Sequence, residues 1–434
     1  MLPTKTICII GVTGNQGGSV AQRFLQDPTY HVRGLTRNPS SSRAQVLAAQ
    51  GIEIVKANLD DVHSLKAAFA GANLIFSVTN YWEPFFRADC RQKAAEIGIS
   101  CRKYAYDVEL QQGKNITDAA AETVESLDEN GFIVSTLSHA GRCSGGRFRE
   151  LYHFDAKADV FPDYVRSSHP ELARKMSCLQ TGYFMSSYKL VPHAYFGRAD
   201  DGSVEMTFPT APDAAVPHFQ VNEDMGNFVY AVSKMPPGNS YMAEGTTCSW
   251  TEYMSLWSLV NSVPASYRQI SLEELINGTP DADFGREVGD MLVYSTDPGY
   301  HGGEKELLRA ADIRQHSDLT IRKNPCLPCQ LTCLFSTDAR GPETKDLVFT
   351  SSDPYNDAAW SEPLEFPVRG IDPDIFGDDD GTVYVTSSDD QRIQHYSLDL
   401  STGETDPVTT YGTERVAPGP KDRIYTAKMT IITC

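Results

Sequence analysis

The sequence lacks several features that would place it in a broad class at once. No stretch approaches the roughly 18 consecutive apolar residues that a membrane-spanning helix needs. Positive charge is scarce: 38 Lys and Arg stand against 57 Asp and Glu, and the formal net charge of −19 disfavours direct binding to nucleic acid or anionic membranes. Residues 1–10 carry one lysine and lead straight into a glycine turn, which predicts a first β-strand rather than a signal peptide.

Cysteine is present but forms no dense framework. Ten cysteines are spread over 434 residues, which predicts reduced thiols and a cytoplasmic or nuclear location. One cluster, Cys326, Cys329 and Cys333, has metal-like spacing, but no second ligand pair or histidine lies at zinc-finger spacing from it. We therefore expect no metal site.

Residues 1–315 alternate short apolar runs with helix-like segments. The strand-like runs lie at 6–10, 31–36, 52–55, 74–78 and 132–135. Buried strands separated by helices predict an α/β fold, with a Rossmann doubly wound parallel sheet and helices on both faces. We expect the Rossmann core at about 1–182 and a smaller lobe largely at 183–315, with a small-molecule ligand or a partner surface between them.

From about residue 316 the pattern changes, because helical periodicity ends and short strands recur between Gly, Pro, Ser and Asp turns. Residues 316–434 are therefore predicted to form a second, all-β module.

A glycine motif follows the first predicted strand and precedes the first helix. Glycine permits the tight turn, and without a Cβ it lets a pyrophosphate approach the helix N-terminus. The GxxGxxG spacing is that of extended dehydrogenases and predicts dinucleotide binding. The residues expected to bind are Gly11, Thr13, Gly14, Asn15, Gln16 and Gly17.

The end of the second strand selects the cofactor. An NAD site would place Asp or Glu there to bind the ribose 2′-hydroxyl. This chain has Arg37, flanked by the hydroxyls of Thr36 and Ser40, and a guanidinium suits a 2′-phosphate. NADP(H) is therefore favoured over NAD(H).

Several segments resemble the NmrA-like family of atypical short-chain dehydrogenases: 11–17, 36–39, 78–83, 104–115, 152–157, 182–185 and 297–300. The resemblance runs from residue 4 to about 315. It implies that Arg37 meets the adenosine 2′-phosphate, that Thr79 and Asn80 line the cofactor cleft, and that Lys157 reaches the nicotinamide ribose. It also implies NADP(H) binding and action through a protein partner such as a transcription factor.

The position expected to hold the catalytic acid departs from the short-chain dehydrogenase pattern Tyr-x-x-x-Lys. Four residues before Lys157 stands His153, and Tyr152 lies one residue too early to share its helix face. A histidine can act as an acid, since its pKa lies near 6.5. The sequence favours a regulatory or redox-sensing protein without turnover; the alternative is an NADPH-dependent reductase of a small carbonyl that uses His153 and Lys157.

Part of the second module, about 319–434, resembles glycoside hydrolase family 43, whose members are five-bladed β-propellers that cleave xylosides and arabinosides by inversion. The resemblance rests on 320–322, 359–363 and 370–384, and Asp372 in the last segment matches the carboxylate that tunes the pKa of the acid. The general base is missing, the acid is missing at 417–420, and Glu414 is off register. We expect an incomplete, inactive propeller fragment, with a glycosidase as the second alternative.

Overall fold

The computed structural model describes residues 5–189, 197–199, 201–261 and 263–316, and in the C-terminal region seven short segments. Those segments are 331–337, 345–351, 364–366, 371–377, 383–389, 392–398 and 404–411. The chain divides into two compact units, residues 1–254 with 266–322, and residues 255–265 with 323–434.

Thirteen strands lie among the described residues up to 316: β1 (Lys5–Ile9), β2 (Tyr30–Thr36), β3 (Glu53–Lys56), β4 (Leu74–Ser77), β5 (Phe132–Thr136), β6 (Met176–Thr181), β7 (Tyr183–Phe184), β8 (Gly197–Arg198), β9 (Val204–Phe208), β10 (Val216–Phe219), β11 (Ser240–Ala243), β12 (Thr246–Cys248) and β13 (Ala265–Gln269).

The α-helices of the same region are α1 (Asn15–Leu25), α2 (Ser42–Ala49), α3 (Val62–Phe69), α4 (Trp82–Phe86), α5 (Ala88–Ile97), α6 (Cys101–Ala121), α7 (Ala140–Cys143), α8 (Tyr152–Ala158), α9 (Val165–Ser168), α10 (Pro170–Ala173), α11 (Val221–Val232), α12 (Trp250–Asn261), α13 (Leu272–Asn277), α14 (Ala282–Tyr294) and α15 (Ala310–His316).

The main sheet has seven strands in the order β11-β6-β5-β4-β1-β2-β3. All six strand pairings within it are parallel, as between β1 and β2 or β5 and β6. The chain reverses direction across the sheet between β1 and β4, which opens a crevice at their carboxyl ends. The predicted parallel sheet with helices is confirmed.

Strand β1 shows why the sheet needs helices on both faces. Ile7 and Ile9 belong to one apolar cluster, whereas Cys8 and Ile10 belong to another, because successive side chains point to opposite faces. Helices α1 and α11 cover the first face and α3 and α6 the second. Against α1, α11 packs so closely that a Cβ on Gly226 would lie 2.3 Å from the carbonyl oxygen of Ser19.

The main sheet extends into the stretch assigned to the smaller lobe. Strand β11 pairs with β6, and α11 lies in the helical layer of the sheet. The rest of that stretch contributes two three-stranded sheets, β12-β10-β7 and β13-β9-β8, together with α12 to α14. Ser249 caps α12, since its hydroxyl accepts from the Glu252 N–H while the Glu252 carboxylate accepts from the Ser249 N–H.

The described C-terminal strands are β14 (Leu331–Thr337), β15 (Lys345–Ser351), β16 (Leu364–Phe366), β17 (Ile371–Gly377), β18 (Val383–Asp389), β19 (Arg392–Leu398) and β20 (Thr405–Tyr411). They form two antiparallel sheets, β14-β15-β16 and β17-β18-β19-β20. These sheets fit the expected all-β character, and the propeller fragment stays a prediction.

Several predicted positions of this region lie outside the described residues. Cys326, Cys329, Glu414 and residues 417–420 are among them, and for Cys333 and Asp372 only the backbone, in β14 and β17, is described. Across the described part of the chain, no helix combines the length and apolar character needed to cross a membrane.

Candidate functional site

A cleft of about 1290 Å³ opens at the carboxyl ends of the main-sheet strands. This is where ligands bind in open α/β sheets, beside the reversal of strand order. Every predicted cofactor residue lines it, as does the predicted acid: Gly11, Thr13, Gly14, Asn15, Gln16, Gly17, Arg37, Thr79, Asn80, His153 and Lys157.

The glycine loop between β1 and α1 fits a dinucleotide. Gly11 has a φ of +64°, and a Cβ on Gly17 would lie 2.3 Å from the Gly11 carbonyl oxygen, so neither position tolerates a side chain. Gly14 caps α1 without a side-chain acceptor, and the first turn holds no acidic residue. The first N–H groups of α1 are therefore available to an anion.

Arg37 follows β2 at the edge of the cleft, where the sequence places it. Its side chain is 60% exposed, and its Nη1 lies 2.7 Å from Oε1 of Glu83 in α4. An exposed pair of this kind is weak and rearranges at small cost. The guanidinium is therefore accessible to a phosphate, with the Glu83 carboxylate as competitor.

Lys157 lies at the end of α8 with its charge already paired. Its Nζ donates to the buried Glu109 of α6 at 2.5 Å, and the Thr79 hydroxyl donates to the same oxygen at 2.6 Å. The second Glu109 oxygen, Oε2, is buried and has no hydrogen-bond partner. The side chain of Thr79, which follows β4, is thus joined to side chains of α6 and α8 at the cleft wall.

His153 is held by a buried carboxylate from α14. Both its backbone N–H and its Nδ1 bond to Oε1 of Glu287, at 2.8 and 2.7 Å. The other Glu287 oxygen accepts from Nε of Arg102 at 2.7 Å. All three side chains are buried.

The charge of Glu287 determines which ring nitrogen of His153 carries hydrogen. Burial raises the pKa of Glu287, but the hydrogen bonds from His153 and the positive charge of Arg102 outweigh burial and lower it. An ionised carboxylate only accepts hydrogen bonds, so Nδ1 of His153 bears hydrogen. No described residue hydrogen-bonds Nε2, and His153 lines the cleft. An imidazole held through Nδ1 in this way can exchange a proton through Nε2.

Sequence reasoning missed Glu287, Arg102 and Glu109 as site residues. Glu287 lies 134 positions from His153, and no local pattern connects them. Glu109 lies within a segment that carries the family resemblance but had no role assigned to it. Two serines at the end of β5 differ in position: Ser135 lines the cleft, whereas the hydroxyl of the buried Ser138 lies 2.9 Å from that of Tyr294.

Comparison with known proteins gives one family and a consistent fold. The profile described as the NmrA-like family matches residues 3–303. The NmrA-like family domain-containing oxidoreductase notA of Aspergillus sp. (strain MF297-2) is 27% identical over 318 residues, which are 69% of this chain and 86% of that protein. The corresponding oxidoreductase notA' of Aspergillus versicolor is 39% identical over 54% of this chain and 61% of its own length.

Among solved structures, NmrA, a negative transcriptional regulator in complex with NADP, superposes with a TM-score of 0.53 at 18% identity. The match covers 72% of this chain and 90% of that one. At this identity the likeness shows the fold alone.

Proposed function

The chain belongs to the NmrA-like family, and on that premise we propose that it is an NADP(H)-dependent oxidoreductase in which His153 donates the proton. The observation that carries the proposal is the His153–Glu287 pair at the wall of a dinucleotide cleft. A carboxylate that fixes one ring nitrogen leaves the other free for proton transfer.

The choice of NADP(H) rests on the glycine loop and Arg37. Gly11, Gly14 and Gly17 leave the space and the N–H groups that a pyrophosphate requires. Arg37 supplies a positive charge at the end of β2, the position from which an acidic residue would repel a 2′-phosphate. The residues that would hold NADP(H) are thus the glycine loop, Arg37, Thr79, Asn80 and Lys157.

The reaction that fits is reduction of a carbonyl to an alcohol. When bound, NADPH supplies the hydride that the carbonyl carbon accepts. His153, protonated on both nitrogens, gives its Nε2 proton to the carbonyl oxygen. The imidazole is left with hydrogen on Nδ1, the tautomer that Glu287 already holds. Lys157, paired with Glu109, holds its place beside Thr79 at the cleft wall.

A second candidate is an NADP(H)-binding regulator or redox sensor that works through a partner such as a transcription factor. One observation favours it: the ammonium of Lys157 is paired with the carboxylate of Glu109 rather than placed to activate a catalytic group. No phenol stands one helical turn before Lys157 for it to activate.

The deciding experiment measures NADPH oxidation by the full chain with a panel of small aldehydes and ketones. The oxidoreductase predicts turnover that His153→Ala abolishes without changing NADPH affinity. His169→Ala is the matched control, because it removes a histidine that also bonds a carboxylate, Asp118 at 2.8 Å, but does not line the cleft. Tight NADPH binding with no turnover on any carbonyl would favour the regulator.

The glycosidase alternative concerns the C-terminal region and has its own test. Hydrolysis of aryl xylosides or arabinosides, lost on Asp372→Asn, would support it. Because the inverting mechanism needs a base and an acid that the sequence does not supply, we expect no hydrolysis.

A further inference from the structure

We propose that the substrate of this cleft is a neutral molecule whose carbonyl is joined to a flat aromatic ring. The inference rests on the proposed oxidoreductase function and names the class of compound that the site would reduce. It comes from an aromatic wall beside His153, formed by Trp82, Phe86 and Phe284.

The three rings form one continuous surface. Trp82 and Phe86 of α4 are stacked with centroids 6.0 Å apart, and Phe284 of α14 lies 5.4 Å from Trp82 and 5.6 Å from Phe86. All three residues line the cleft, and Phe86 is 55% exposed. An aromatic ring left half exposed in a cleft is a contact surface rather than core.

The wall adjoins the proton donor. The indole of Trp82 lies 5.2 Å from the imidazole of His153, centroid to centroid. Helix α14 presents Phe284, Glu287 and Val288 three and four positions apart, which places them on one face. The same helix therefore orients His153 through Glu287 and supplies apolar surface, through Phe284 and Val288, next to it.

Charge in the cleft argues for a neutral substrate. Among the described lining residues the permanent cations are Arg37 and Lys157, and both are paired with carboxylates. Arg37 is assigned to the cofactor phosphate and Lys157 is paired with Glu109, so among the described lining residues no permanent cation remains to bind an anionic substrate. Aromatic side chains pack favourably on a further aromatic ring in stacked or edge-on geometry, so the wall favours a substrate that carries such a ring.

The test compares acetophenone with cyclohexyl methyl ketone, which has the same carbon skeleton but a saturated ring. Turnover with NADPH and binding to the NADP⁺ complex are measured for the full chain and for Phe86→Ala, Phe86→Leu and Ile97→Ala. Ile97 is the control, since it is 63% exposed and lies outside the cleft.

We expect the chain to prefer acetophenone. Phe86→Ala and Phe86→Leu should lower kcat/KM for acetophenone about three- to tenfold, the range expected for one aromatic contact, and change the saturated ketone little. Ile97→Ala should change neither. NADP⁺ affinity should stay the same in all variants.

Each outcome decides the proposal. Equal kcat/KM and equal binding of the two ketones, in the native chain and in its variants, overturn the aromatic site and leave the oxidoreductase standing. Loss of NADP⁺ affinity in Phe86→Ala overturns it by assigning the wall to the cofactor. Selective binding of acetophenone without turnover of any carbonyl in the panel supports the aromatic site while the oxidoreductase fails. Absence of acetophenone binding overturns the aromatic site, and the oxidoreductase falls with it only if the whole carbonyl panel also gives no turnover.

Discussion

Replacing Glu287 with glutamine tests whether His153 must be oriented by a carboxylate, because the variant keeps the imidazole and removes only the charge that holds it. Glu287 accepts three hydrogen bonds within 2.8 Å, two from His153 and one from Arg102. An amide keeps only one accepting oxygen. With that oxygen toward His153, the NH₂ faces the Nε–H of Arg102; with it toward Arg102, the NH₂ faces the Nδ1–H of His153 and the imidazole is no longer held. Removing the carboxylate that lies nearest the buried arginine costs about 3 kcal/mol of folding stability. Loss of the correctly held imidazole removes much of the roughly 10²- to 10⁴-fold that general acid catalysis contributes.

The assay measures kcat and KM for carbonyl reduction, NADPH affinity by calorimetry, and thermal unfolding. Asp290→Asn is the matched control: Asp290 lies one turn further along α14 and also faces Arg102, at 3.6 Å, but none of its described contacts is with His153. We expect both variants to lose stability and only Glu287→Gln to lose kcat at least about 100-fold with NADPH affinity unchanged. Equal loss of kcat in the two variants would refute the orienting role.

Three further predictions test the rest of the site and the fold. Arg37→Ala should weaken NADP(H) binding about tenfold or more, as one charge-assisted contact requires, and leave NAD(H) binding little changed; equal loss for both would contradict its placement. Gly17→Ala should weaken binding of both dinucleotides, because the new Cβ would lie 2.3 Å from the Gly11 carbonyl, whereas Gly18→Ala, with its nearest atom at 3.4 Å, should be milder; the same titrations decide. Burial lowers the pKa of His218 to about 4. Between pH 6.5 and 4 His218 is therefore protonated in the unfolded chain but neutral in the folded chain. The free energy of unfolding should fall by about 3 kcal/mol as pH drops from 6.5 to 4. His218→Phe should flatten that part of the unfolding curve, and an unchanged slope would be the contrary result.

The parts of the fold that follow local patterns were predictable. Strands β1 to β5 begin and end within one residue of the predicted apolar runs, and the glycine loop lies between β1 and α1 as the motif requires. Strand β11 was not predicted as part of the main sheet, because its pairing with β6 joins residues about 60 positions apart. A short strand carries no information about its distant neighbour.

The candidate site divides in the same way. The cofactor residues cluster in segments that end successive strands, so a motif and the order of strands locate them. Glu287 and Phe284 come from a helix far along the chain, and only the packing of α14 brings them to His153 and Trp82. The local pattern shows that the tyrosine of Tyr-x-x-x-Lys is missing, and for that reason the sequence favours a protein without turnover. The observation that supports the oxidoreductase, the buried carboxylate beside His153, comes from the structure.

The most direct test of the oxidoreductase follows the hydride itself. The full chain is incubated with NADPH carrying deuterium at the reactive position of its nicotinamide and with each carbonyl of the panel, acetophenone included, and the alcohol is analysed by mass spectrometry. We expect deuterium on the carbinol carbon of at least one product with the native chain and none with His153→Ala. A native chain that binds NADPH tightly yet transfers no deuterium to any carbonyl would contradict it.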